Sequence, residues 1–134
     1  MIEARQFFIS AIFAAAALFS LSIDARASSE PERTVELVML EQVLCEWCEA
    51  WNQEVGAIYS QSWEGTAAPL RRVDIHDERP ADLVNLPGTR FTPTFVLMID
   101  GKEAGRITGY PGEDFFWGLL AGILRDAGIT EPNL

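Results

Sequence analysis

The chain has 134 residues, which is enough for one small domain, and 49% of them are hydrophobic, which excludes an intrinsically disordered protein. Twenty acidic residues against ten lysines and arginines give a formal net charge of −10. This balance argues against a nucleic-acid partner and against docking on an anionic membrane, because both need clustered basic side chains. There are two cysteines, Cys45 and Cys48, so the chemistry of the chain depends on one thiol pair.

The N-terminus has the pattern of a secretory signal. Residues 7–23 are almost wholly apolar, and Ala25 and Ala27 place small residues at the positions that a signal peptidase reads. The alternative is an uncleaved membrane anchor, because this apolar segment would span roughly 26 Å as a helix. Either form places the domain outside the cytoplasm, in the periplasm of a bacterium, where disulfides persist. We therefore predict a signal peptide over 1–27, a linker over 28–33, a folded domain over 34–128 and a tail over 129–134.

The rest of the chain alternates between strand-like and helix-like segments. Short β-branched runs predict strands, apolar residues three and four apart predict helices, and Asp100-Gly101 is the dipeptide favoured in a tight hairpin turn. Residues 65–69, with Gly65 and Pro69, are interpreted as a break. The predicted elements are a strand over 34–40, a helix over 46–60, a strand over 70–75, one or two helical turns within 77–88, strands over 94–99 and 102–108, and a helix over 114–127.

The two cysteines form a C-x-x-C motif, Cys45-Glu46-Trp47-Cys48, between a strand and a helix. At a helix start the backbone N–H groups stabilise a thiolate on Cys45, and Cys48 lies one turn further on, within reach of Cys45. The first thiolate can attack a foreign disulfide, and the second thiol then resolves the mixed disulfide. A structural staple is less favoured, because so short a loop contributes only about 2 kcal/mol. A zinc site is also less favoured, because zinc takes four ligands and the chain offers two cysteines and the lone His76.

The order of these motifs resembles the thioredoxin fold. A strand, C-x-x-C at a helix start, Thr92-Pro93 ahead of an apolar strand, a hairpin and a final helix cover about residues 34–127. The resemblance implies an α/β architecture, a central mixed four-stranded sheet flanked by helices in the order β-α-β-α-β-β-α. It also implies that Pro93 is a cis-proline facing the cysteines, and that Thr92 pairs main chain to main chain with an extended substrate segment.

A closer resemblance is to the SoxS-type thioredoxin-like proteins encoded with bacterial sulfur-oxidation (Sox) genes. It rests on residues 36–48 (ELVMLEQVLCEWC), 91–98 (FTPTFVLM) and 109–117 (GYPGEDFFW). This family resemblance implies a periplasmic thiol reductant that keeps the carrier cysteine of a Sox sulfur-carrier protein active. No cofactor is then expected beyond the Cys45–Cys48 pair, and electrons would come from a membrane thiol donor.

The chain also departs from ordinary thioredoxins. Glu46-Trp47 stands where thioredoxins usually carry Gly-Pro, and Met39 stands where they carry a buried Asp. The proton acceptor for Cys48 must then lie elsewhere; Glu41 is the nearest substitute and Glu49 the second. Because these carboxylates oppose a thiolate by like charge, the sequence favours a reductant over an oxidant.

Several aromatic residues are candidates for either the site or the core. We interpret Trp47 as an exposed contact for the substrate beside Cys45, and Tyr110 with Pro111 as lining the substrate groove. The hydrophobic core is expected to contain the remaining aromatic residues of these motifs, namely Trp51, Phe91, Phe95 and Phe116.

Two other classes of function stay open at this stage. One is a redox-sensitive binding or regulatory module that uses a thioredoxin surface without turnover. The other is a Cu(I)-handling protein, since two thiolates can bind Cu(I).

Overall fold

Four strands form one mixed sheet in the computed structural model of the chain, which describes residues 32–132. The predicted signal peptide lies outside these residues, as do most of the predicted linker and the last two residues of the predicted tail. The strands are β1 (Val35–Glu41), β2 (Leu70–Asp74), β3 (Thr94–Ile99) and β4 (Lys102–Thr108). The helices are α1 (Glu46–Trp51), continued by a π-helical turn (Asn52–Gly56) and by α2 (Ala57–Tyr59), then α3 (Trp63–Ala67), a 3₁₀ turn (Ala81–Leu83) and α4 (Glu113–Asp126).

The strand order β2-β1-β3-β4 places β1 inside the sheet. β1 runs parallel to β2 and antiparallel to β3, and β3 runs antiparallel to β4. The predicted mixed four-stranded sheet and the order of the elements are thereby confirmed. The C-x-x-C motif follows β1 after residues 42–44, so an inner strand of the sheet supports the cysteines.

Both faces of β1 are buried, which explains its continuous apolar sequence. Leu37 and Met39 point to the face covered by α1 and α4, and Val38 and Leu40 point to the face covered by the segment around the 3₁₀ turn. All four are at most 1% exposed. Because side chains alternate along a strand, Glu41 lies on the same face as Met39, the face that carries the cysteines.

An aromatic cluster fills the core on that face. Trp51 is fully buried, with its ring centroid 5.1 Å from that of Phe95 and 5.7 Å from that of Phe116. Trp51, Phe95 and Phe116 are core residues as predicted. The cluster anchors α1 to the sheet and to α4, and therefore fixes the helix that begins at the cysteines.

The predicted hairpin turn is present between β3 and β4. Asp100 and Gly101 have φ angles of 50° and 74°, and positive φ at both positions is what a type I′ turn requires. The Asp100 carboxylate also accepts a hydrogen bond of 2.9 Å from the backbone N–H of Thr34.

The break predicted over residues 65–69 is wrong, because α3 occupies Trp63–Ala67. Ser62 caps this helix by accepting a hydrogen bond of 2.9 Å from the backbone N–H of Gly65. Gly65 is needed for close packing, since a Cβ there would lie 1.8 Å from the carbonyl oxygen of Tyr59. The predicted single helix over 46–60 is likewise divided by the π-helical turn.

No helix within residues 32–132 is both long and apolar enough to cross a membrane.

A glycine pair tests the packing of α4 on β4. A Cβ at Gly105 would lie 2.5 Å from Cγ2 of Ile123, whereas a Cβ at Gly118, on the exposed side of α4, meets nothing within 4 Å. We expect Gly105→Ala to lower the free energy of unfolding by about 1–3 kcal/mol through overpacking. Gly118→Ala should raise it by up to about 1 kcal/mol through helix propensity. Urea unfolding midpoints check both, and equal midpoints for the two variants would contradict the described packing.

Candidate active site

The reactive motif lies at the junction between β1 and α1. Residues 42–45 turn the chain, and Leu44 takes a left-handed φ of 58°, a conformation that costs a leucine roughly 1–2 kcal/mol. Cys45 is the N-cap of α1, and its Sγ accepts a hydrogen bond of 3.1 Å from the backbone N–H of Cys48. The junction therefore directs a backbone donor at the sulfur of the first cysteine.

Cys45 and Cys48 are joined in a disulfide, with their Cα atoms 5.2 Å apart. Cys48 is 3% exposed and packs into the core with Trp51, whereas Cys45 is partly exposed. An attacking group from solvent therefore reaches Cys45 and not Cys48. This asymmetry is what a nucleophile and a resolving thiol require.

Two clefts flank the disulfide, and Gln42 lines both. The first cleft has a volume of about 570 Å³ and brings both cysteines together with four carboxylates. Its lining residues are Glu41, Gln42, Val43, Leu44, Cys45, Glu46, Cys48, Glu49, Asn52 and Asp74.

Glu41 and Glu49, the two predicted proton acceptors, are held differently in this cleft. The Glu41 carboxylate is 22% exposed and lies 3.5 Å from the Arg72 guanidinium. Glu49 is exposed, and hydrogen bonds from Gln53 and Asn52 hold the pKa of its carboxyl below its ordinary value. Glu41 is thus held at the edge of the core by an arginine, whereas Glu49 lies on the exposed side of α1 with its carboxylate bonded to Gln53.

The second cleft is lined by Trp47 of the C-x-x-C motif but by neither cysteine, and it contains three of the predicted substrate-binding residues. Trp47 is 60% exposed at its edge, Thr92 is half-buried and Tyr110 lines it from the loop before α4. The Thr92–Pro93 peptide bond is cis, and Pro93 is buried behind Thr92 rather than lining the cleft. The lining residues are Gln42, Trp47, Arg90, Phe91, Thr92, Thr108, Gly109, Tyr110 and Pro111.

The prediction that Phe91 belongs to the core is wrong, because it is 67% exposed at the second cleft. Two threonines hold its backbone in place. The Thr89 hydroxyl accepts from the Phe91 N–H at 3.1 Å, and the Thr94 hydroxyl donates to the Phe91 carbonyl at 2.7 Å. With its backbone bonded inward, Phe91 presents its ring to solvent beside Thr92.

Tyr110 fixes the loop that forms the far wall of the second cleft. Its side chain is 8% exposed and packs edge-on against Phe116, and its hydroxyl donates a hydrogen bond of 2.5 Å to the Glu54 carboxylate. Glu54 lies in the π-helical turn that follows α1. Tyr110 therefore ties this loop to the helix of the cysteines, and does so with its polar end away from the cleft.

Val43, Leu44, Asn52 and Arg72 are among the residues at the site that were not predicted from the sequence. Val43 and Leu44 are 76% and 103% exposed and line the first cleft with Cys45, and Trp47 and Phe91 are exposed at the second cleft; we call these four exposed side chains the apolar rim. A pair of apolar residues in a loop was the available signal for Val43 and Leu44. Asn52 and Arg72 meet only through the fold, and no sequence spacing indicates that contact.

His76 lies at the edge of the site rather than in a metal centre. Its Nε2 is 3.0 Å from Oε1 of Gln42, the residue shared by the two clefts. In the part of the chain that the structure describes, no three His, Cys, Asp or Glu side chains are grouped to hold a metal ion.

Comparisons with known proteins give one informative result. No protein-family model matches the chain, and no curated protein matches it. Among solved structures, the crystal structure of the periplasmic thioredoxin SoxS from Paracoccus pantotrophus, in its reduced form, is 44% identical in sequence. The match covers 70% of this chain and 99% of that one, with a TM-score of 0.67.

The Tyr110–Glu54 contact predicts a pH-dependent stability. Burial first, and then the Glu54 carboxylate, raise the pKa of the Tyr110 hydroxyl above its ordinary value of 10. A raised pKa stabilises the folded state below pH 10, and this contribution is lost as the pH rises further. We expect Tyr110→Phe to lower the free energy of unfolding by about 1 kcal/mol at pH 7.

The free energies of unfolding of wild type and Tyr110→Phe should become more similar above about pH 10, where the tyrosine ionises in the unfolded chain. Urea unfolding of both proteins from pH 7 to pH 11 measures these free energies. A difference that stays constant over this range would contradict the assigned cause.

Proposed function

The chain belongs to the SoxS-type thioredoxin-like proteins and is a thiol–disulfide oxidoreductase, and we propose that it serves as a periplasmic reductant of a protein disulfide or blocked cysteine. The observation that carries the proposal is the unequal exposure of the two sulfurs in one disulfide at the start of α1. The partly exposed Cys45 is the nucleophile, and the buried Cys48 is the resolving thiol.

The proposed reaction starts from the reduced dithiol. The Cys45 thiolate attacks one sulfur of the substrate disulfide, a mixed disulfide forms, and the other substrate sulfur leaves as a thiolate. The Cys48 thiol then loses its proton and attacks Sγ of Cys45, which releases the second substrate thiolate. The protein is left with the Cys45–Cys48 disulfide and must receive two electrons from a donor.

We assign Glu41 as the acceptor of the Cys48 proton. It lies in the first cleft with Cys48, on the strand face that carries Met39 where ordinary thioredoxins have a buried Asp. A carboxylate that shares a cleft with the buried thiol can take the proton directly or through one water. Glu49 lines the same cleft, but its carboxylate is exposed and bonded to the Gln53 side chain at 2.9 Å, so Glu41 is the more enclosed of the two candidates.

The second cleft is the proposed platform for the substrate. An extended segment can pair with the main chain at Thr92, ahead of Pro93, and place its reacting cysteine at Cys45. Trp47 and Phe91 supply exposed aromatic contacts at the cleft, and Tyr110 supplies its wall. Such contacts give affinity by burying apolar surface.

The similarity to the periplasmic thioredoxin SoxS supports a location in the periplasm and a protein substrate. We propose that the substrate is the reactive cysteine of a Sox sulfur-carrier protein, and that a membrane thiol transporter supplies the electrons. The only additional chemistry is that of the cysteine pair, so no bound cofactor is needed for this cycle.

The acidic first cleft supports the reducing direction. Glu46 is adjacent to Cys45, and Glu41, Glu49 and Asp74 line the same cleft. Like charges destabilise a thiolate, and a less stable reduced form has a more negative potential.

Equilibration in glutathione and dithiothreitol buffers measures this potential, which we expect below about −200 mV. Glu46→Gln should shift it toward a more oxidising value, and Glu131→Gln, at an exposed carboxylate remote from both clefts, should not. A potential near that of a disulfide-forming enzyme, about −120 mV, would overturn the reducing direction while leaving the oxidoreductase class intact.

The Cys48→Ser variant tests the assignment of the two cysteines and of the apolar rim. Without its resolving thiol the protein should accumulate mixed disulfides through Cys45 when it is incubated with oxidised insulin, used here as a protein disulfide. We expect Cys45→Ser to accumulate none.

Adding Val43→Ser or Phe91→Ser to Cys48→Ser should slow the capture of insulin about fivefold, because apolar contact with the insulin chain is lost.

Matched controls separate the rim from general surface effects. Val84 and Phe115 are 66% and 71% exposed, much as Val43 and Phe91 are, but line neither cleft. Val84→Ser and Phe115→Ser should leave the capture rate within about twofold of the parent. Equal slowing by rim and control variants would mean that the rim has no special role.

A further inference from the structure

Arg72 of β2 connects the proposed proton acceptor to the helix of the cysteines. Its guanidinium donates to the Asn52 side-chain oxygen, lies 3.5 Å from the Glu41 carboxylate and donates to Sδ of Met39 at 3.6 Å. Glu41 and Met39 are in β1, and Asn52 is in the π-helical turn after α1. One side chain thus joins three elements that meet around the first cleft.

Two features hold this guanidinium in place although the side chain is 40% exposed. Its Cζ lies 5.8 Å from the ring centroid of the buried Trp51, a cation–π distance. The register of the parallel strands also pairs Arg72 directly with Met39. Because the Arg72 guanidinium is already held by several partners, it loses little further conformational entropy when it pairs with a carboxylate. An arginine in an isolated surface ion pair loses more.

Glu41, by contrast, depends on Arg72 for its position. Among the residues that the structure describes, Arg72 makes the one ion pair of the Glu41 side chain, which stands at the end of β1 just before the turn to Cys45. Without Arg72, this carboxylate would be free to rotate into solvent and away from the cleft that it shares with Cys48.

We propose that Arg72 is a positioning residue for the resolving step, and that it holds the Glu41 carboxylate beside Cys48 while Asn52 fixes the guanidinium from the helix side. This inference rests on the proposed role of Glu41. In the step, the Cys48 proton passes to Glu41, the Cys48 thiolate attacks Sγ of Cys45, and the substrate thiolate leaves. Arg72 touches neither sulfur and exchanges no proton.

The charges around the first cleft oppose Glu41 once the Arg72 guanidinium is removed. The charged groups that face the Glu41–Arg72 pair are Glu46 and Glu49 on α1 and Asp74 at the end of β2. All three are carboxylates, so a released Glu41 would be repelled from the cleft that Arg72 holds it in.

Ellman's reagent, 5,5′-dithiobis(2-nitrobenzoate), resolves the step in the full reduced chain. Attack by Cys45 releases one yellow thiolate, and attack by Cys48 on the resulting mixed disulfide releases the second. In stopped-flow absorbance at pH 7, we expect Arg72→Met to slow the second release about tenfold and to leave the first within about twofold. Arg72→Lys keeps the positive charge but loses the planar guanidinium. Its second release should have a rate between those of wild type and Arg72→Met.

Arg71 provides a matched control from the same strand. It lies on the opposite face of the sheet, where it pairs with Glu36 at 3.3 Å and Asp82 at 2.5 Å. Arg71→Met therefore removes a doubly paired arginine without touching the cleft. We expect its second release to match that of wild type, and thermal unfolding of both variants confirms that they are folded.

The pH profile and a double variant distinguish positioning from a general structural effect. The slowing by Arg72→Met should shrink as the pH is raised from 7 toward 10, because hydroxide then takes the Cys48 proton in place of the acceptor. Glu41→Gln should also slow the second release, and adding Arg72→Met to it should slow it no further, because both act through one carboxylate.

The inference is overturned if Arg72→Met does not slow the second release, or if Arg71→Met slows it equally. It is also overturned if the slowing by Arg72→Met does not change with pH, or if it adds to the slowing by Glu41→Gln. An unaffected Glu41→Gln would overturn it together with the assigned acceptor. Two other outcomes would contradict the proposed roles of the cysteines themselves. No second release from wild type would contradict the role of Cys48, and no first release from Cys48→Ser would contradict the role of Cys45.

Discussion

The burial of Cys48 is the constraint from which the rest of the site follows. At 3% exposure its sulfur is sealed against the core by Trp51 and the sheet, which protects the resolving thiol from solvent oxidants and from foreign disulfides. The same burial opposes ionisation, because a thiolate is costly in apolar surroundings. A proton acceptor near the edge of the core would offset this cost. The proposed acceptor, Glu41, stands at the end of β1, in the cleft that Cys48 also lines.

Much of this could be predicted from the sequence, because local signals and the fold agree. The continuous apolar run of β1 predicts a strand buried on both faces, and Cys45-Glu46-Trp47-Cys48 after it predicts a redox pair at a helix start. Asp100-Gly101 predicts the hairpin. These signals lie within short windows, where backbone preferences and side-chain alternation act directly, and the four-stranded mixed sheet follows from their order.

The features that sequence reasoning missed all depend on contacts between distant segments. Gly65 has the composition of a helix break, yet it is required inside α3 because the Tyr59 carbonyl passes so close. Phe91 has the composition of a core residue, but hydrogen bonds from Thr89 and Thr94 turn its backbone inward and its ring outward. The contact between Arg72 and Asn52 depends on the register of β2 on β1 and on the packing of α1 against the sheet.

The chain has a net charge of −10, and two arginines of β2 pair with some of its carboxylates. Alternation along this strand sends Arg71 to one face of the sheet and Arg72 to the other, and each arginine meets carboxylates there. On the Arg71 face the ion pairs connect the sheet to the segment around the 3₁₀ turn, far from any reacting atom. On the Arg72 face the same chemistry lies beside Cys48, among carboxylates that would otherwise repel one another. This acidic protein thus has the Glu41 carboxylate in the cleft that its buried Cys48 lines, next to one cation that is itself fixed by an aromatic ring, an amide and the strand register. An arginine suits this position better than a lysine would, since its planar fork can bond the amide and face the carboxylate at once.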